Sequence, residues 1–197
     1  MARKVIIYIL AVCFAIVSIP LSANAEAVSS MTVKQLIVKH SLEMGLDPAL
    51  ALSIAKAESG FCHNKRSRYG AIGVFQLMPA TAQKMGYNPY HLQENIKGDI
   101  TYYKKMFKMF GSTELALAAY NAGPGNVKKY NGIPPFSETR KFVSSIMSNY
   151  NNLKLHPDPA IAQYQNAIEE IANEISEEDF RHQQEEILKS FLSGQGI

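Results

Sequence analysis

The chain has 197 residues, 47% of them hydrophobic, which is enough for one domain with a core plus an appendage. It has no tryptophan and two cysteines, and because Cys13 falls in a leading apolar segment, Cys62 alone cannot close an internal disulfide in the rest of the chain. The net charge of +3 is unevenly spread: residues 26–156 hold 16 Lys and Arg against 8 Asp and Glu, while residues 157–197 hold 2 against 9.

The first 25 residues have the form of a secretory signal peptide. Arg3 and Lys4 supply the positive start, Val5 to Ile19 the apolar stretch, and Pro20 the break. Ala23-Asn24-Ala25 fits a small-x-small cleavage site, so cleavage is expected after Ala25, leaving a periplasmic or secreted protein. The apolar run is short for a membrane span. Residues 26–31 read as a short linker. The basic body suits a polyanion. An export signal and the lack of a basic recognition helix argue against nucleic acid.

Thr32 and Gln35 read as a capping box opening a helix that buries Val33, Leu36, Ile37 and Leu42 and stops at Gly45. Asp47 caps a second helix, with Pro48 at its first position. Ala49 to Ala57 is almost wholly apolar, so this helix is central and buried, and Glu58 lies at its C-terminal end. Glu58 is the only acid between Asp47 and Glu94. Burial disfavours the charged carboxylate, and the negative end of the helix dipole adds to the effect. Such a carboxyl is fitted to act as a general acid near neutral pH.

Residues 61–76 form a glycine-punctuated loop with room for a small hairpin. Cys62 reads as a small buried filler and His63 as an exposed loop histidine. Pro79 to Lys84 is a short helix. Asn95 to Phe110 is a longer one, with Ile96, Ile100, Tyr103, Met106, Phe107 and Phe110 forming a core stripe. Ser112 or Thr113 caps a helix over Glu114 to Tyr120, stopped by Asn121-Ala122-Gly123-Pro124-Gly125. Ser137 caps a helix that Asn151-Asn152 ends. The domain over 32–156 is therefore all-α. Residues 157–197 form an acidic C-terminal helical extension. Ser176 with Asp179 suggests a fresh cap, dividing it into a helical pair.

Four stretches carry a resemblance. They are Glu58-Ser59-Gly60; Ser67-x-x-Gly70-Ala71-x-Gly73-x-Phe75-Gln76-Leu77-Met78-Pro79; Ala119-Tyr120-Asn121-Ala122-Gly123-Pro124-Gly125; and Pro135-Phe136-x-Glu138-Thr139-Arg140. In this order and spacing they resemble the catalytic core of the soluble lytic transglycosylase family, whose domain is similar to goose-type lysozyme. Val74-Phe75 replaces the more frequent Leu-Met, and Phe61-Cys62-His63-Asn64 a frequent Phe-Asn-Pro-Asn, which touches subsite detail rather than the chemistry.

The resemblance implies a lysozyme-like fold and a peptidoglycan substrate. It implies cleavage of the β-1,4 bond between N-acetylmuramic acid and N-acetylglucosamine, with Glu58 as acid and then base. Ser67, Gln76, Met78, Tyr120, Asn121 and Glu138 would line the sugar cleft, Tyr120 orienting Glu58 or the acetamido oxygen. On spacing alone, Met78 and Tyr120 could equally be core residues. Ordinary glycosidases need two carboxylates. The other acids available are Asp47, Glu94, Asp99, Glu114 and Glu138, of which only Glu138 falls in a family motif. A single acid suffices if the muramoyl C6 hydroxyl attacks in place of water. No metal motif and no cofactor motif is present. The small size and acidic extension suggest an enzyme that opens the wall for a secretion, conjugation or pilus machine. The rival readings are a hydrolytic muramidase of goose-lysozyme type, and a non-catalytic wall-binding assembly factor.

Overall fold

The computed structural model describes residues 29–193. The expected leader over 1–25 lies outside the described residues. Eight helices run through the described part: α1 Ser30–Glu43, α2 Pro48–Glu58, α3 Pro79–Lys84, α4 Leu92–Phe110, α5 Thr113–Ala122, α6 Pro124–Tyr130, α7 Ser137–Leu155 and α8 Pro159–Ser193. Of the described residues, those up to Ile161 belong to one compact unit, and α8 from Ala162 onward belongs to a second. No helix among the described residues is long and apolar enough to cross a membrane.

α2 is the central element. Asp47 accepts a hydrogen bond from the Ala49 N–H at 2.9 Å and Pro48 occupies the first turn, so the helix starts where the sequence places it. Every residue from Ala49 to Ala55 is buried. α2 packs between α1 and α7, and α5 packs against α4, α6 and α7. Ile37, Leu52, Ile54, Phe75, Ile96, Ile100, Met106, Leu117 and Ile146 are essentially inaccessible. Burying each such side chain contributes about 1.5–3 kcal/mol.

Polar ties zip α2 to α7 in antiparallel sense. Tyr150 donates to Asp47 Oδ2 at 3.0 Å and Lys154 at 2.9 Å. Further along, Asn149 donates to Ser53 Oγ at 2.9 Å and accepts from Lys56 at 2.8 Å. This direction brings the end of α2, with Glu58, toward the first turn of α7, with Glu138.

Several local expectations are corrected. The cap of α1 is Ser29, whose Oγ accepts from the Thr32 N–H at 3.1 Å, rather than Thr32 itself. A serine three residues upstream offers the same cap and lengthens the helix. Leu42 is 45% exposed, because the chain turns off at Met44 before that face meets a neighbour. α7 begins at Ser137, with Phe136 as its cap and no side-chain cap bond, and runs past Asn152 to Leu155. Phe107 is exposed, at the end of the α4 stripe where the core tapers.

α6 was not anticipated. Gly123, at φ 83°, ends α5, and Pro124 at once opens the next helix from its first position. The expected helical pair in the extension is one continuous helix of 35 residues. No Gly or Pro interrupts 160–193, and a serine such as Ser176 sits inside a helix at little cost. Among the described residues there is no strand. The hairpin expected in 61–76 reduces to two antiparallel bridges, Arg66 with Ile72 and Ile72 with Leu77.

Lys34 on α1 makes two contacts at once. Its ammonium bonds Asp158, the residue before α8, at 2.7 Å, and lies 4.9 Å from the centre of the Phe61 ring. Asp158 in turn accepts from the Ala160 N–H at 3.0 Å.

Candidate active site

Glu58 closes α2 and is partly buried. Burial, first, and the Glu138 carboxylate raise its pKa from 4.5 to about 7, against the opposing pull of Lys65. Among the described residues its carboxyl has no hydrogen-bond partner, so it is free to meet a ligand. The chain leaves Glu58 through Ser59, which caps the helix, then through Gly60 and Phe61 with φ of 65° and 69°. Two successive left-handed residues reverse the chain, and Phe61 bears the strain of a side chain there, of order 1–2 kcal/mol. Lys65 comes back to donate to the Glu58 carbonyl at 2.7 Å, satisfying an orphan acceptor of the helix end.

The following loop forms a wall pinned from beneath by Asn95. This buried amide donates to the Ile72 carbonyl at 2.9 Å and the Pro89 carbonyl at 3.2 Å, and accepts from the Phe75 N–H at 3.2 Å. Gly73 makes the close approach possible: at φ 79°, a Cβ there would stand 2.9 Å from the Asn95 amide group. The Gln76 backbone is also left-handed, at φ 49°. Its side-chain amide donates to the Gly73 carbonyl at 2.9 Å and the Lys65 carbonyl at 3.2 Å, which leaves Oε1 as the group available to a ligand. Ser67 Oγ accepts from the Ala71 and Tyr69 N–H groups at 3.0 and 3.2 Å, leaving only its proton to offer. Met78 follows the wall and is 42% exposed, so it is not a core residue.

The last turn of α5 supplies the opposite part. The Tyr120 ring stacks on Phe142 at 6.1 Å and tilts against Tyr102 at 5.4 Å. Its hydroxyl lies 3.0 Å from the Phe75 carbonyl and hydrogen-bonds the Asp99 carboxyl. Tyr120 thus bonds Phe75 and Asp99, while the Glu58 charge bears on it. Burial, first, pushes the Tyr120 hydroxyl well above its ordinary range. Asn121 accepts from Thr139 Oγ1 at 2.7 Å, locking the end of α5 to the first turn of α7 beside the exposed Glu138.

Contacts thus link Glu58, Lys65 and Gln76 in one group, Phe75, Tyr120 and Asp99 in a second, and Asn121 with Thr139, next to Glu138, in a third. The remaining acids lie elsewhere: Asp47 caps the far end of α2, Glu94 bonds the Asn88 N–H and His91, and Glu114 bonds Ser112. Cys62 is exposed, since the reversal at Gly60 and Phe61 carries it away from the core. His63 is half-buried rather than exposed, and burial lowers its pKa.

Asn95 and Asp99 are site residues that motif reading passes over. The signal was present: Asn95, Ile96, Asp99, Ile100, Tyr103 and Met106 share the buried face of α4. Two polar side chains on an otherwise apolar stripe need partners.

The transglycosylase SLT domain model matches residues 35–143, a span that includes all seven candidate residues. A transglycosylase of Enterobacteria phage PRD1 is 31% identical over 122 residues, covering 61% of this chain and 44% of the phage protein. The soluble lytic murein transglycosylases of Salmonella typhimurium and Escherichia coli are 29% and 30% identical over 143 residues, 60% of this chain and 22% of theirs. Lytic transglycosylase Slt from Pseudomonas aeruginosa, solved as an inactive Glu-to-Gln mutant, matches with a TM-score of 0.57 and 29% identity over 66% of this chain and 25% of that one. The 70-kDa soluble lytic transglycosylase of Escherichia coli gives 0.55 and 29% over 64% and 25%. The chain spans less than half the length of these relatives. The all-α, lysozyme-like fold expected from the motifs is the fold of these neighbours over the covered part, and with its domain matched from residue 35 to residue 143 the chain belongs to the transglycosylase SLT family.

Proposed function

We propose that the chain is a peptidoglycan lytic transglycosylase that cleaves the β-1,4 bond between N-acetylmuramic acid and N-acetylglucosamine without water. The observation that carries this reading is Glu58 itself, a carboxyl at the end of α2 with no hydrogen-bond partner among the described residues and a pKa raised to about 7, chiefly by burial. The Pseudomonas enzyme, inactive as a single Glu-to-Gln mutant, supports a reading in which one glutamate is indispensable.

Protonated Glu58 donates to the glycosidic oxygen as the bond to C1 breaks and the N-acetylglucosamine alcohol departs. The resulting carboxylate then takes the proton of the muramoyl C6 hydroxyl as that oxygen closes onto C1. The product is a 1,6-anhydro end, and Glu58 is again protonated. An attacking group already within the substrate has the proximity advantage that a free water lacks. Gln76 Oε1, the Ser67 hydroxyl proton, Met78, Asn121 and Glu138 are assigned to binding the sugars, and Tyr120 to shaping the site around Glu58.

Glu138 favours a second reading, a hydrolytic muramidase, because it is exposed and its charge bears on Glu58. Export by cleavage after Ala25, a periplasmic or secreted location, and local wall opening for a secretion, conjugation or pilus machine complete the proposal. They rest on the leader sequence and on the acidic extension over 157–197. The test is mass spectrometry of soluble products from purified peptidoglycan. Products carrying 1,6-anhydro ends, absent with Glu58→Gln, are expected. Hydrated reducing ends would move the assignment to the muramidase.

A further inference from the structure

Asp99 is the only fully buried acid among the described residues. It sits on α4 beneath the candidate site. One oxygen, Oδ1, meets the Tyr120 hydroxyl, and the other, Oδ2, is buried without any hydrogen-bond partner. The Tyr120 hydroxyl also lies 3.0 Å from the Phe75 carbonyl. Two acceptors therefore converge on a group that owns a single proton.

We propose that Asp99 is carried as a neutral carboxylic acid and is a positioning residue: it donates to Tyr120, and Tyr120 donates to the Phe75 carbonyl. The inference rests on the reading of Glu58 as the catalytic acid and extends it to the support beneath.

Proton bookkeeping drives the argument. If Asp99 were ionised, the Tyr120 proton could satisfy Asp99 or Phe75 but not both. The carboxylate oxygen Oδ2 would also hold charge at a buried position where no protein group bonds it, an expensive arrangement. One proton on Oδ1 removes both difficulties. Asp99 O–H points to the Tyr120 oxygen, Tyr120 O–H points to the Phe75 carbonyl, and no net charge is buried. Oδ2 becomes an ordinary carbonyl oxygen.

The titratable groups bearing on Asp99 agree. They are Glu58 from α2, Tyr120 from α5 and Tyr102 from its own helix, and none is a cation. Lys65 spends its ammonium on the Glu58 backbone carbonyl, and Glu138 bears on Glu58. Burial first, then the Glu58 charge, hold the Asp99 carboxyl well above the usual range despite the Tyr120 bond. Glu58 therefore titrates against a neutral neighbour. When Glu58 gives up its proton in the reaction, its new charge only strengthens the hold of Asp99 on its own.

The relay ends on the peptide that joins Phe75 to Gln76. Gln76 is the left-handed residue whose side chain forms the wall, so the relay fixes a strained peptide within the site. Loss of the donor on Asp99 lets that peptide shift, and a displacement of about 1 Å near reacting groups costs on the order of 100-fold in rate.

The test compares full-length wild type, Glu58→Gln, Asp99→Asn and Asp99→Leu. Asparagine keeps a neutral donor; leucine keeps the bulk and loses it. Asp99→Asn is expected to stay close to wild type in kcat, with the alkaline limb of its pH profile unmoved, and Asp99→Leu to fall by about 100-fold. An alkaline limb that moves down in Asp99→Asn would show that an Asp99 charge had been raising Glu58, and would overturn the proposal. So would equal damage by Asn and Leu.

Infrared spectroscopy reads Asp99 without activity. In Glu58→Gln held above pH 7, the C=O stretch of a protonated carboxylic acid should persist and should vanish in Glu58→Gln/Asp99→Asn. Absence of that band in Glu58→Gln refutes the neutral acid even if Asp99→Leu does not fold. Equal wall cleavage by wild type and Glu58→Gln would defeat the reading of Glu58 instead, and the infrared band would still decide Asp99.

Discussion

A carboxyl held near pKa 7 is a cost to the fold as well as a tool, and the cost is measurable. In the unfolded chain Glu58 returns to its ordinary 4.5, while in the native protein it stays protonated up to about 7. Below pH 4.5 both states hold the proton and there is no penalty. Between 4.5 and 7 only the folded state holds it, so stability falls as pH rises. Above 7 the full penalty is present, about 3 kcal/mol at roughly 1.4 kcal/mol per pH unit.

Glu58→Gln removes the titration and keeps the shape. Relative to wild type it should gain up to about 3 kcal/mol between pH 4.5 and 8, equivalent to a melting-temperature gain on the order of 10 °C. Urea titrations of both proteins at closely spaced pH values provide the measurement. A stability difference that does not change with pH would refute the assignment of a raised pKa to Glu58. A gain with falling pH would refute even its sign.

Other expectations concern catalysis and the scaffold. The same titration predicts that kcat/KM falls as pH rises through about 7, because only protonated Glu58 can start the reaction; a rate profile flat from pH 5 to 9 would contradict this. Gly73→Ala should destabilise the protein by about 1–3 kcal/mol in thermal melts, through positive φ and collision with the Asn95 amide. Asp47→Ala should cost about 1–2 kcal/mol at pH 7, since Asp47 caps α2 and also accepts from Lys154 and Tyr150. Burial alone would raise the Asp47 pKa, but these partners lower it on balance, so its contribution should fade as pH drops below the ordinary carboxylate range. Glu177→Pro would suit the first turn of a helix beginning after Ser176, whereas in one continuous α8 it should remove helical circular dichroism and about 3 kcal/mol of local stability.

Glu58 was legible because a lone acid ended an apolar helix whose cap and N1 proline were both plain. α2, α4 and α5 were legible for the same reason: strong periodicity between clear stops. Local cap chemistry was less decisive. Ser29 and Thr32 can each begin α1, and the choice depends on which N–H groups the packed helix leaves open. α6 escaped notice because Gly123-Pro124 both stops one helix and starts the next. Cys62 looked like core filler, yet the left-handed pair Gly60 and Phe61 turns it to solvent. Asp99 was visible as an acid but not as a buried one, since its importance comes from Tyr120 and Phe75, which lie 21 and 24 residues away in sequence. Motifs name the residues that meet a substrate; the groups that hold those residues are scattered by the fold.

The double grip of Lys34 has a mechanical consequence. One ammonium holds both Asp158, at the root of α8, and the Phe61 ring, three residues beyond Glu58. Asp158 can leave α1 only by giving up the 2.7 Å ion pair, and the ammonium it would free also lies against the Phe61 ring. Lys34 is in this sense a shared tether, and removing its ammonium would release Asp158 and the Phe61 ring together.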